Sequence, residues 1–236
     1  MKRVWLILAA FLGMTAASVA PASADLLYTL NCKVNPCSGA AATNNYGSIT
    51  LHQVGTGANA YITVTVDLST ASNHATMPEN FVGTGAGYAI VWDLKNNPTL
   101  SSVTITAPNP NTFGNPGQPL FVAQDFTSGQ SYKASPFGTD WEYAIDFKAS
   151  GNDLQPPVDK LVFDIKKAGG LILTDSLFSQ NDGFTFAVDI FRNGSTFTVA
   201  SNDCPDPVPE PETWALFFAG MAGLTWLHRR RKLAKA

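Results

Sequence analysis

The residues of this chain best suited to chemistry are carboxylates set among aromatics. In the run 141–147, Glu142 and Asp146 alternate with Trp141, Tyr143, Ile145 and Phe147, and Asp140 lies at its edge. Asp164 and Asp189 take the equivalent polar positions in two other apolar runs. Two carboxylates on neighbouring strands can serve as a glycosidase pair or hold calcium. Alternation alone also puts polar residues on a solvated sheet face, and that plainer reading is preferred. Nucleophilic chemistry has less to stand on. There is no Gly-x-Ser-x-Gly elbow, and His52 and His74, in no recognisable setting, are expected at the surface. No Cys/His set has zinc-site spacing, so no metal site, cofactor or enzymatic activity is expected. Trp92, Trp141 and Tyr143 are candidate stacking platforms for a sugar, with core packing as the alternative.

The elements that would position these groups are strands. Ile62, Val64, Val66 and Leu68 alternate with polar residues, as do Leu161, Phe163 and Ile165, and Phe184, Phe186, Val188 and Ile190. Further strands are expected at 48–54, 88–94, 103–107, 120–124, 171–173 and 196–200. No window between the two terminal apolar segments carries a capped 3.6-residue stripe. About ten short strands separated by Gly, Pro and Asn turns predict an all-β body, an antiparallel two-sheet sandwich or jelly roll. The segment 108–119, with four prolines and three asparagines, is an irregular loop. The inward set is Ile62, Val64, Val66, Tyr143, Ile145, Phe147, Phe163, Phe186 and Val188.

At the front, Lys2 and Arg3 precede an apolar stretch and then Ala22-Ser23-Ala24, the order of a secretory signal peptide. Residues 1–24 are therefore expected to pass the Sec translocon and be removed, leaving Asp25 first. At the back, Pro209-Glu210-Pro211 is followed by an uncharged run, 213–227, and a basic cluster containing Arg229, Arg230 and Arg231. Each proline fixes its own φ and biases its predecessor toward extended backbone. The uncharged run is roughly 22 Å long as a helix, short against about 30 Å of hydrocarbon. Trp214 and Trp226 lie near its ends, where interfacial aromatics sit, and Gly220 and Gly223 offer small faces for packing on another membrane helix. The basic cluster should stay cytoplasmic. The expected organisation is signal peptide 1–24, β domain 25–203, Pro-rich linker 204–212, hydrophobic helix 213–228 and basic tail 229–236.

The whole chain carries a formal charge of −3. Removing both ends leaves eight basic residues against sixteen acidic, about −8. Such a body disfavours nucleic acid and anionic membrane surfaces as partners. In an oxidising compartment Cys32 and Cys37 can close a small loop around Asn35-Pro36. Cys204 is then left over, as a free thiol or as the partner of either.

The tail resembles the PEP-CTERM sorting signal of Gram-negative bacteria that make exopolysaccharide. Val208, Pro209, Glu210, Pro211 and Trp214, the Gly220/Gly223 helix and the Arg229, Arg230 and Arg231 cluster carry the resemblance. It implies an exported protein inserted transiently in the cytoplasmic membrane. Exosortase, a membrane cysteine peptidase, would cut it near the Pro-Glu-Pro site for delivery to the cell surface or exopolysaccharide matrix. A plain single-span anchor is the alternative reading of the tail. Three classes remain for the body: a non-catalytic exported protein, a carbohydrate-binding module, or a glycan hydrolase using Glu142 with Asp146 or Asp164.

Overall fold

Alternation of β-branched and polar residues builds the first of two sheets. A computed structural model describes residues 25–33, 45–72, 75–76, 78–82, 88–107, 120–138, 140–148, 158–201 and 206–208, within a compact unit Asp25–Pro209. The expected signal peptide 1–24, His74, Cys37, Cys204 and everything from Pro209 onward lie outside the described residues. Strands β1 (Asp25–Thr29), β2 (Ser48–Val54), β3 (Tyr61–Asp67), β6 (Ser102–Ala107), β9 (Lys160–Lys166) and β13 (Asp206–Val208) form an antiparallel sheet ordered β13-β1-β2-β3-β9-β6. Along β3 burial alternates residue by residue: Ile62, Val64 and Val66 are fully buried and the threonines between them half-buried. One face of this sheet meets the core and the other meets solvent.

The second sheet comprises β5 (Ile90–Leu94), β7 (Phe121–Ala123), β8 (Tyr143–Phe147), β11 (Phe186–Arg192) and β12 (Ser195–Ser201), ordered β12-β11-β5-β8-β7. Two-residue strands β4 (Asn80–Phe81) and β10 (Phe178–Ser179) pair with β11 and β5. Asn193 and Gly194 both have positive φ and turn β11 into β12, the pair such a hairpin favours. All five residues of β5 are buried. The inward residues Trp92, Tyr143, Ile145, Phe186 and Val188 face the first sheet. Tyr28 meets Phe186 edge-on at 5.0 Å between ring centroids, and Phe163 lies 5.1 Å from Trp92, so aromatic pairs span the gap. The outward residues Val91, Ala144, Ala187 and Ala200 are buried too, under Ala134, Phe137, Trp141 and Phe184. The body is thus a two-sheet antiparallel sandwich with a second, smaller apolar layer outside one sheet.

Two expectations need correction. Residues 171–173 form no strand: Leu171 donates its amide to the Ala60 carbonyl (2.8 Å) and Leu173 donates to the Gln53 side chain (2.8 Å), so side-to-backbone anchoring replaces a ladder. Within the expected linker 204–212, Asp206–Val208 is a strand paired with β1. Pro207 and Pro209 push Asp206 and Val208 into the extended region, and an edge position tolerates the donor that Pro207 lacks. The remaining strands absent from the sequence reading, β1, β4 and β10, are short.

Candidate functional site

The predicted carboxylates do not converge. Asp164 lies on the first sheet, where it accepts from Thr63 Oγ1 (2.8 Å) with Lys166 Nζ 4.0 Å away. Asp146 lies on β8 of the second sheet and Glu142 just before that strand, and Asp146 is ion-paired with Lys148 two residues on. Glu142 Oε2 accepts the amides of Gly129 (2.8 Å) and Gln130 (3.0 Å), fastening the loop before it. Asp140 accepts from Ser131 Oγ (2.9 Å) on the same loop. Each carboxylate is engaged locally. Among the described residues no group of three or more His, Cys, Asp or Glu gathers to hold a metal.

The carboxylate that the sequence reading passed over is Asp93, which is buried and accepts the Glu142 amide at 2.6 Å. Burial raises its pKa; the bonds from the Glu142 amide and the Asn181 side chain oppose that rise, and the charges of Glu142 and Asp140 add to it. An aspartate inside the apolar run 90–94 was the available signal. Asp189, expected on a solvated face, is half-buried on β11. Burial pushes its pKa up to about 6, against hydrogen bonds from Thr198 and Ile190. His52 is exposed and its Nδ1 sits 2.5 Å from Asp25 Oδ1.

Trp92, Trp141 and Tyr143 are fully buried and offer no sugar-stacking surface. Trp141 donates from Nε1 to the Phe137 carbonyl (2.9 Å), and Trp92 stacks on Tyr143 inside the sandwich. The strand period puts Trp92 and Tyr143 inside the sandwich, and Trp141 belongs to the outer apolar layer; burial of such large rings contributes most. Aromatic rings reach a surface depression elsewhere. Lys33, Tyr46, Arg192, Asn193, Ser195 and Phe197 line a hollow of about 270 Å³ at the β11–β12 end. Lys33 Nζ stands 3.9 Å over the Phe197 ring, and Tyr46 meets that ring edge-on. Arg192 spans the rim, its Nε 3.1 Å from the fully buried Glu79 and its guanidinium donating to the Ser72 carbonyl.

At the C-terminal side the described chain ends in β13, where Val208 pairs with Asp25, Pro207 with Leu26 and Asp206 with Leu27. Residues 207–232 match the PEP-CTERM protein-sorting motif. The match covers Val208, Pro209, Glu210, Pro211, Trp214, Gly220, Gly223 and the Arg229, Arg230 and Arg231 cluster, so the chain carries this sorting motif at its C-terminal side. The PEP-CTERM motif implies an exported, surface-directed protein with exosortase as its processing partner. No curated protein and no solved structure matches the chain. No helix among the described residues is long and apolar enough to cross a membrane, and the expected helix 213–228 lies outside them. Cys32 is fully buried against the second sheet, with its amide 3.0 Å from the Ala200 carbonyl.

Proposed function

We propose that this is an exported, non-catalytic protein whose β body is delivered to the cell surface or exopolysaccharide matrix after exosortase processing. The signal peptide 1–24 takes it through the Sec translocon and leaves Asp25 first. The helix 213–228 then holds it transiently in the cytoplasmic membrane, with Arg229, Arg230 and Arg231 inside, while exosortase cuts near Pro209-Glu210-Pro211. The sorting-motif match at 207–232 carries this reading. The dispersal of Glu142, Asp146 and Asp164, each with its own local partner, supports the non-catalytic part. Replacing Pro209, Glu210 and Pro211 with alanine removes two helix breakers, each worth about 3 kcal/mol. That variant should accumulate uncut in the membrane fraction. Equal processing of variant and wild type, or unchanged processing without exosortase, would leave a plain anchor as the better account. Oxidation of Cys32 with Cys37 belongs to the same proposal, and non-reducing peptide mapping that found both thiols free would remove it.

A second reading, glycan binding, is favoured by the hollow beside Phe197. It pairs a ring surface with a cation and with the polar side chains of Asn193 and Ser195, and its volume suits one sugar unit better than a long chain. A glycan array on residues 25–208, repeated with Phe197→Ala, tests it: binding that survives the substitution lies elsewhere.

A further inference from the structure

The first two residues of the sorting motif are part of the folded body. The match begins at residue 207, and Pro207 and Val208 are both paired with β1. β1 is firmly seated. Its other edge is laddered to β2 through four register pairs, and Asp25 is held by His52. β13 is not. It has three residues, lies at the sheet edge, has β1 as its partner, and carries at its centre a proline with no amide to donate. Each backbone hydrogen bond adds little net stability, so so short a strand opens without unfolding the sheet.

The geometry points to β1 as the positioning element for sorting. We infer that docking of β13 on β1 withholds the motif and that its release presents the motif to the peptidase. Peptidase clefts take substrate as an extended strand whose backbone pairs with the enzyme. While Pro207 and Val208 lie on β1, one side of their backbone is covered by the first sheet, so a cleft that must enclose the substrate strand cannot close around them. The six residue steps from the docked Val208 to Trp214 span at most about 22 Å. Docking therefore also keeps the bulk of the body close to wherever the tail is gripped. This inference rests on the exosortase reading.

A cross-strand pair, Leu27→Cys with Asp206→Cys at register partners, tests it in the full chain expressed with exosortase. The stapled protein should lose processing and regain it when reductant opens the bridge. A companion variant, Leu27→Cys alone, leaves the motif intact and the ladder unstapled and should be cut at the wild-type rate. Processing of the stapled chain at the wild-type rate, with exosortase deletion blocking both, would overturn the release step and leave the sorting reading standing. Processing that persists without exosortase would take both down. Should the cysteine variant misfold, hydrogen exchange on the unaltered chain decides. The β1–β13 amides should exchange far faster than those of β3, and equal protection would overturn the inference.

Discussion

Set side by side, the two sheets of this sandwich obey different rules. In β3 every second residue is buried, and the outward positions hold Tyr61, Thr63, Thr65 and Asp67. In β5, β8 and β11 the outward positions hold Val91, Ala144 and Ala187, all buried beneath Phe137, Trp141 and Phe184. The difference lies in what covers each sheet. Residues 132–138 with Trp141 cover the second sheet, and Trp141 bridges to Tyr132 through paired backbone bonds of 2.8 and 3.1 Å. On the second sheet, burial raises the pKa of the outward carboxylates Asp93 and Asp189. On the first sheet, Asp164 shares a half-solvated face with Thr63, from which it accepts a hydrogen bond.

This contrast can be broken by experiment. If the outer layer is a true core, Trp141→Ala should cost as much as the inward Phe186→Ala, about 3–5 kcal/mol by denaturant unfolding. A loss below about 1 kcal/mol for Trp141 would reduce that layer to decoration. Ala187→Asp places a charge beneath the layer and should cost about 3 kcal/mol, while Thr65→Asp at the matching outward position of β3 should cost under about 1. Equal costs would erase the distinction between the sheets.

Asp189 sharpens it through pH. Its folded pKa, about 6, stands above the usual 3.8, so between those values the folded state holds a proton that the unfolded chain has released. Stability should therefore fall as pH rises from about 4 to 6, by roughly 2 kcal/mol, and level off above. Asp93 acts in the same direction. Asp67 on the first sheet acts oppositely: desolvation is outweighed there by bonds from Ser69 and Lys160, and its pKa is lowered. Asp189→Asn should flatten the decline, measured by thermal unfolding across that range. The smallest effect expected is at Glu142: Glu142→Ala frees two loop amides and should cost about 1 kcal/mol while speeding proteolysis at residues 127–131. Unchanged proteolysis would show that the loop is held by the apolar layer alone.

The same contrast explains what could be read from the sequence. The one-sided sheet announces itself in Ile62, Val64 and Val66, and the nine inward residues chosen from alternation are all buried. Period two identifies which residues share a face but not whether something covers the opposite one. Hence Trp141, which period two groups with Tyr143 and Ile145, lies instead in the outer layer, and Asp189 is half-buried at its outward position. The covering segment has no periodicity of its own; its loop is held by the Glu142 carboxylate and by backbone pairing of Tyr132 with Trp141. Asp206–Val208 looked like linker because prolines usually end sheets, and only the position at an edge reconciles them. The hollow at Phe197 joins Lys33 to residues about 160 positions away, a proximity that spacing along a chain cannot show.

The β1–β13 ladder also has a consequence in time. It joins residue 27 to residue 206, so its closure comes after nearly the whole chain has been delivered, and after the nearer pairings β2–β3 and β11–β12 have cut the entropy of that loop. β13 is therefore among the last strands able to find its place. During the interval between emergence and that final closure the segment bearing Pro207 and Val208 is bare backbone. Folding speed of the body, set by long-range pairings such as β3 with β9, is thus a clock running against any enzyme that reads this segment.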